Sequence, residues 1–525
     1  MQDLPVSIQS FKNIRDFNCL YIDKTRYVYD LVRKKQSFFL SRPRRFGKSV
    51  LLSTLKEVLL GNKELFEGLW IEKSDYTWPI FGVVHLDFSL IDSIDCSTLR
   101  SSICCNLNVI AEKYKLKIEL SSSSPKDALV VLVNALYSKF GKVAILIDEY
   151  DHAILSNLHG PELESILKTL QGFFAGIKGL GDLVHFLFIT GVSAFAKAGV
   201  FSGMSHPDDL SNRPEYACIC GYTEEELMRY FIPYLEEMAR HSDMSLSDLK
   251  EEMRKLYDGY HFVANSPAVY NPFSFIKALH TGSLGNFWFD SGLPFFLVEI
   301  LKKEYQKKNV SIFQMDEFKI SEMEPKYFDA NAIPLPALML QTGYLTIKSC
   351  REGIYTLGFP NLEVQSSLQR HMIHILLNLD ITKIALFSNE LVIALAHEDV
   401  DQILSILKSL YSHIPSKLHI PKEKFYHALL IATFQAIGIK TLAEHSTADG
   451  SIDLVLELSH LLYVIEIKFN RSAKSALKQI EEKEYYRPFL QSKKPIRLLG
   501  IGFMRKTGKS ARFTISVEST RKELF

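Results

Sequence analysis

A short apolar run, Ser37–Ser41, leads into Arg42-Pro43-Arg44-Arg45-Phe46-Gly47-Lys48-Ser49, and Leu and Val then recur at helical spacing through Ser49–Leu60. This order of strand, tight loop and helix constrains the chain more than any other feature. A loop that ends in Gly-Lys-Ser at a helix N-terminus turns its amides inward and can cradle phosphate groups. Lys48 is then placed to reach β and γ phosphates, and Ser49 to hold Mg2+ through its hydroxyl. The general pattern G-x-x-x-x-G-K-[ST] has its first glycine where this chain has Arg42, so the loop is a variant. Gly-Lys-Ser alone is a weak signal. A second copy, Gly508-Lys509-Ser510, lies between two strand-like runs, opens no helix and reads as a hairpin loop.

The run Val143–Ile147 supplies the partner signal, because this aliphatic strand ends in Asp148 and Glu149. A buried strand sets its last Asp beside the phosphate loop, where it can join the Mg2+ shell through water. The following Glu149 can orient the attacking water as the catalytic carboxylate. Thr190, after the strand Phe186–Ile189, is positioned to sense the γ phosphate. Arg44 and Arg45 either contact phosphates or serve a neighbouring subunit, with solvated surface arginines as the alternative. The expected nucleotide site is thus Arg45, Gly47, Lys48, Ser49, Asp148 and Thr190, with Ser49 and Asp148 serving the metal.

Short apolar strands alternate with amphipathic stretches up to about residue 222, which implies a parallel sheet covered on both faces. From Thr223 the texture becomes helical and charged, and Pro233 should break or kink the first helix, Glu224–Leu235. Aromatic islands such as Asn286-Phe287-Trp288-Phe289 read as core. From Lys422 the pattern is helix, three strands, helix, strand, after a boundary near Pro415–Pro421. The expected class is a multidomain α/β chain with segments 1–222, 223–415 and 416–525. The 525 residues alone suggest three or four domains at ~150 residues each.

With 47% apolar and 23% charged residues, disordered, collagen-like and disulfide-scaffold classes are excluded. No apolar run approaches the ~18 residues of a membrane span, and Met1–Arg15 lacks an apolar signal core, so a cytoplasmic protein with no membrane partner is expected. The seven cysteines (Cys19, Cys96, Cys104, Cys105, Cys218, Cys220 and Cys350) form no C-x-x-C pair and read as reduced thiols rather than a zinc site.

A second constellation lies near the C-terminus. Asp449–Glu457 reads as a turn feeding a strand, and Tyr463–Lys468 as the next strand, with Ser459 and His460 in the turn between. Glu466 and Lys468 are two apart and share a face. Asp453, on the neighbouring strand, can lie close to Glu466. Charges pointing one way from apolar strands are costly unless they meet a metal or each other. Two carboxylates plus the Ile467 carbonyl can hold Mg2+, a hard cation that takes oxygen ligands. Lys468 would position a water or offset developing charge, which suits phosphodiester hydrolysis. Gln479, on the helix candidate Ser475–Glu484, can reach the same site. A surface hairpin with an ordinary cross-strand Glu/Lys pair is the alternative. Global charge is balanced, 61 Lys and Arg against 60 Asp and Glu, yet residues 466–525 hold 15 against six. A locally basic face is the footprint of a phosphate polymer.

Taken together the chain resembles bacterial and archaeal proteins with an N-terminal AAA-ATPase-like domain and a C-terminal PD-(D/E)XK nuclease-superfamily domain. The landmarks begin with Tyr21-Ile22-Asp23-Lys24-Thr25, Arg42–Ser49, Ile147–Asp151 and Phe188–Ser193. They continue with Tyr257-Asp258-Gly259-Tyr260, Tyr270-Asn271-Pro272-Phe273, Gln341–Thr346, Pro360–Val364, Ile452-Asp453, Glu466-Ile467-Lys468, Gln479 and Lys483-Glu484-Tyr485. The resemblance implies ATP at Lys48, Ser49, Asp148 and Glu149, and a metal site at Asp453, Glu466 and Lys468. Ser451 stands where the family's nuclease motif usually has Arg, which weakens any phosphate contact from that position. The expected function is an ATP-binding and hydrolysing chain coupled to a Mg2+-dependent nuclease acting on nucleic acid, chiefly DNA, with homo-oligomers possible. The alternative is a nucleotide-dependent switch or assembly protein whose nuclease-like end is a non-cleaving interaction module. A third reading, a protein-remodelling ATPase, would be stimulated by unfolded protein rather than DNA.

Overall fold

The computed structural model describes all residues except 159, 195–199, 202–206, 289–296, 298–299, 301–317, 322–333, 378–379, 413–422, 438, 448–449, 459, 493, 506–512 and 523–525. The expected boundary at Pro415–Pro421 and the Gly508–Ser510 loop lie outside the described residues.

Five strands form the first sheet: β1 (Ser37–Ser41), β2 (Gly82–Asp87), β3 (Val143–Asp148), β4 (Val184–Gly191) and β5 (Asp208–Asp209). Their order is β2-β3-β4-β1-β5 and every pairing is parallel. All six residues of β3 are buried, as a sheet covered on both faces requires. The intervening helices carry their own start and stop signals. Pro125–Phe140 begins with the Ser124 hydroxyl accepting from Asp127 N, has Pro in its first turn, and ends on Gly141 at φ +69°. Because β4 pairs with both β1 and β3, Ser41 lies opposite Gly191 and Ile147 opposite Ile189. The C-terminal ends of these three strands therefore converge, which is where open α/β sheets bind ligands.

Beyond this sheet, helices Glu224–Tyr230 and Ile232–His241 meet at Phe231, with Pro233 in the first turn of the second, so the expected break falls there. They pack with Leu246–Tyr257 and Pro272–Thr281 around Leu235, Met238, Leu249, Met253 and Phe275. Of the aromatic island, Phe287 packs against this core and Trp288 is buried. The middle region also carries a small antiparallel sheet of β6 (Phe318–Ser321), β7 (Thr346–Arg351) and β8 (Ile354–Gly358), ordered β6-β8-β7. Glu352 and Gly353 both take positive φ between β7 and β8, as a two-residue hairpin turn demands.

The last sheet comprises β9 (Lys440–Thr447), β10 (Gly450–Glu457), β11 (Leu462–Phe469), β12 (Ile496–Arg505) and β13 (Phe513–Lys522), ordered β13-β12-β11-β10-β9. Only β11 and β12 pair in parallel within it, and helix Ala473–Glu482 makes that crossover. A Cβ on Gly500 would stand 2.3 Å from Ala473 O, and one on Gly502 2.5 Å from Ala473 N, so glycine lets the helix press onto β12.

By contacts the chain divides into two compact units, 1–288 with 317–361, and 289–316 with 362–525. These do not coincide with the three segments expected from texture, because the helices after Leu362 fold with the last sheet. Gln369 Nε2 donates to Gln435 Oε1 at 2.7 Å, and the Tyr463 hydroxyl to Leu395 O at 2.7 Å. No described helix is long and apolar enough to cross a membrane, and all seven cysteines are free.

Candidate functional site

In the first unit β1 ends at Ser41 and the loop closes on Gly47, whose φ of +92° caps the helix Lys48–Leu59. The space a Cβ would take at Gly47 is open, so the loop face is accessible. Lys48 is buried, and its Nζ donates to Arg42 O and Pro43 O, both at 2.9 Å. The ammonium thus ties the loop through two carbonyls, using two of its three N–H donors. Ser49 follows it, half-buried, in the first turn. Across the sheet ends, Asp148 is buried and its Oδ1 accepts from the Thr190 hydroxyl and, at 3.0 Å, from Glu149 N. Glu149 sits at φ +48°. Burial raises its carboxyl above the usual range, and Lys48 pulls in the opposite direction.

The arginines divide. Arg45 lies with its guanidinium 3.8 Å from the Phe273 ring centroid. Arg44 is exposed, and Arg213 pairs with Asp208 and, at 3.5 Å, with Glu215. Arg42 has a role that sequence reasoning missed. It is buried, donates to Ser41 O, Ser211 O and Tyr216 O at 2.9, 3.0 and 3.2 Å, and lies over the Phe262 ring. Burial lowers its pKa to about 10. The residue in the first-glycine position is therefore a pin for the loop's base; that substitution was itself the signal. Asp151 was also missed. Buried, it accepts from Ser193 N at 2.7 Å, Ser193 Oγ at 2.5 Å and Val192 N at 3.2 Å, and so fixes the turn after Thr190. A Cβ on Gly191 would stand 2.5 Å from the Tyr150 ring, so glycine is required at that close approach.

In the second unit β10 and β11 pair with Leu454 opposite Ile465, a register that leads Asp453 toward Glu466. Asp453 Oδ2 accepts from Ile467 N at 2.8 Å. Glu466 is 2% exposed, and its Oε1 accepts from Lys468 Nζ at 2.8 Å and from Gln479 Nε2 at 2.6 Å. The four expected side chains are thus brought together, Gln479 from the crossover helix. Burial first, and Asp453 second, push the Glu466 carboxyl up to about 7 against the pull of Lys468.

The fit of a metal turns on Glu466 Oε2, which is buried and has no hydrogen-bond partner. A buried carboxylate oxygen left so is costly unless a cation or proton joins it. Among the described residues no group of three or more His, Cys, Asp and Glu side chains converges. Two carboxylates with a backbone carbonyl and waters suit Mg2+. At the loop of the first unit, Asp148 and Ser49 offer oxygens of the kind that suit Mg2+.

A protein of Azotobacter chroococcum mcd 1 described as an uncharacterized protein in the vnfD 5'region is 29% identical over 527 aligned residues, covering 98% of both chains. Two solved structures from Aeropyrum pernix match at 10% and 12% identity, the ORC1 protein in complex with DNA and the ORC2 protein in ADPNP–ADP complexes. Each covers 66% of this chain, and the match spans 91% and 93% of theirs, with TM-scores of 0.26 and 0.30. Likeness at that level carries no argument about this chain. Residues 5–201 match the family described as predicted AAA-ATPase, and residues 421–513 the PD-(D/E)XK nuclease superfamily. The sheet whose strand ends gather Lys48, Asp148 and Thr190 falls in the first match and the Asp453–Glu466–Lys468 cluster in the second, so the chain carries an AAA-ATPase-like domain and a PD-(D/E)XK nuclease-superfamily domain.

Proposed function

We propose that the chain binds and hydrolyses ATP with Mg2+ at the first site and that the second is a Mg2+-dependent nuclease acting on DNA. The observation that carries the nuclease reading is Glu466, buried, with one oxygen held by Lys468 and Gln479 and the other unpartnered. A carboxylate oriented on one side and left open on the other is prepared for a cation. Asp453, Glu466 and the Ile467 carbonyl would hold Mg2+, which supplies polarisation of the phosphate and a bound water of lowered pKa. Lys468, anchored on Glu466, offsets negative charge at the phosphate or positions the water. Gln479 keeps the Glu466 carboxylate in place.

At the ATP site the Lys48 ammonium, which gives two of its three donors to Arg42 O and Pro43 O, would reach the phosphates. Asp148, held by Thr190, would join the Mg2+ shell. Glu149, with its carboxyl raised by burial, accepts a proton from the attacking water more readily near neutral pH. The protein would act in the cytoplasm, alone or as a homo-oligomer.

The test incubates plasmid and single-stranded DNA with the full chain, Mg2+ and ATP, alongside Asp453→Asn, Glu466→Gln and Lys48→Ala. Cleavage lost in the first two variants is the expected result. No cleavage in any metal or nucleotide, with ATP-dependent assembly retained, would overturn the nuclease reading in favour of an interaction module.

A further inference from the structure

The N-terminal end of β2 gathers lysines from three helices of the first unit. Lys56 and Lys113 stand in the last turns of Lys48–Leu59 and Cys96–Lys113, and Lys139 in the last turn of Pro125–Phe140. Lys115 and Lys142 follow the second and third of these helices. Printed side by side in space, these segments share contacts. Tyr114, between Lys113 and Lys115, accepts at its hydroxyl from Val83 N at 2.9 Å and at its carbonyl from Lys139 Nζ at 2.8 Å. Its ring lies 5.4 Å from that of Phe140. The Lys142 carbonyl accepts from Gly82 N at 2.9 Å, and Lys142 Nζ stands 5.7 Å from the Phe81 ring centroid. Phe81 N in turn donates to Leu59 O at 2.9 Å, at the end of the first helix. A last-turn lysine alone is ordinary, because a helix C-terminus favours a cation. A whole edge of them is not. Lys113, Lys115 and Lys139 are exposed, and among the described residues none of these lysines makes an ion pair. They also crowd one another: burial first, and Lys113 second, hold the Lys56 ammonium below its usual range, while Glu57 pulls the other way. Like charges gathered in this way repel, and a polyanion laid over them relieves the repulsion.

We propose, on the reading that the chain acts on DNA, that this edge of the first sheet is a second DNA contact, made to the phosphate backbone by Lys113, Lys115, Lys139 and Lys142. It belongs to a different unit from the basic excess of residues 466–525. The lysines adjoin the N-terminal ends of β2 and β3, whereas Asp148 closes β3 at its other end. At ~3.3 Å per residue, the length of β3 sets the two about 17 Å apart, so DNA on this edge leaves the phosphate loop clear. Lysine ammoniums neutralise phosphates without reading base edges, so the contact is salt-dependent and blind to sequence.

Binding of a fluorescent duplex by the full chain is followed by anisotropy in EDTA across a salt series. Lys113→Gln with Lys139→Gln should lower the slope of log affinity against log salt by about 1.8, at ~0.9 for each phosphate no longer neutralised. Lys168→Gln with Lys255→Gln removes the same charge from exposed positions elsewhere in the unit and should leave the slope unchanged. Lysine acetylation of the wild-type chain, read by mass spectrometry, needs no variant and decides the matter if the first pair fails to fold. Duplex should protect Lys113, Lys115, Lys139 and Lys142. An equal fall in slope for both pairs, an unchanged slope in the first, or lysines left unprotected overturns the inference and leaves the nuclease reading standing. Protection by phosphatidylserine vesicles and not by duplex overturns it in favour of a membrane surface. No duplex binding by the wild-type chain at any salt overturns both.

Discussion

Replacing Glu466 by Gln should stabilise the metal-free nuclease-superfamily sheet at pH 8 while removing its metal response. The carboxyl is 2% exposed and titrates at about 7, against an ordinary 4.5. That gap, at roughly 1.4 kcal/mol per pH unit, is worth about 3 kcal/mol. The folded value lies above the unfolded one, so the stabilisation belongs to the protonated side chain. It is fully present below pH 4.5 and lost as the pH rises through 7. Between pH 5 and pH 8 the wild-type sheet should therefore lose about 2 kcal/mol from this group alone. The amide introduced by Glu466→Gln carries no charge and escapes that loss, and Lys468, 20% exposed at its side chain, can turn to water. The assay is hydrogen exchange of β10 and β11 amides in EDTA, converted to opening free energies. At pH 8 the variant should open about 30-fold less often than wild type, following from those 2 kcal/mol, with little difference at pH 5. Added Mg2+ should protect wild type at pH 8 and leave the variant unchanged. Equal pH dependence in the two proteins would refute the buried-carboxylate argument.

Arg42→Gly restores the usual first glycine of the phosphate loop, yet it removes a buried guanidinium bonded to three carbonyls. The thermal midpoint should fall, corresponding to about 2–4 kcal/mol, rather than rise. Asp151→Asn takes the charge from an acceptor of two amides and one hydroxyl. It should cost about 1–3 kcal/mol in denaturant titration, with further loss of ATP turnover through the displaced Thr190 turn. Arg471 and Lys474 are exposed around the start of the crossover helix. Changing both to Gln should reduce the salt slope of duplex binding, measured by fluorescence anisotropy, by about 0.9 for each phosphate no longer neutralised.

What was legible in the sequence was what neighbouring residues decide. Strand, loop and helix around Lys48 follow from apolar runs and glycine, and Asp148 follows from the end of a buried strand. Glu466 and Lys468 share a face because strand side chains alternate, a rule with period two. Asp453 was legible one step further, because a short turn returns β10 onto β11 and sets the register. What escaped depends on contacts between residues far apart in the chain. Arg42 read as a departure from a motif, but its acceptors lie at Ser211 and Tyr216, some 170 positions on. Gly343 read as one residue of a landmark, but its need for glycine comes from Pro43, 300 positions earlier. The division into units escaped for the same reason. The periodicity of Leu362–Leu377 shows a helix with a buried face and does not say that the face meets Gln435 rather than the first sheet. These failures share a direction, since each concerns a residue whose partner fixes the position of a loop or a helix rather than performs a reaction. A charged pair such as Glu466 and Lys468 can be guessed from charge set on an apolar strand, because burying charge is costly and needs a reason. A brace in which Gly343 meets Pro43 and Trp288 Nε1 donates to Arg44 O carries no such visible penalty. Its residues look like ordinary core, and only the fold reveals that the core they form rests on the phosphate loop.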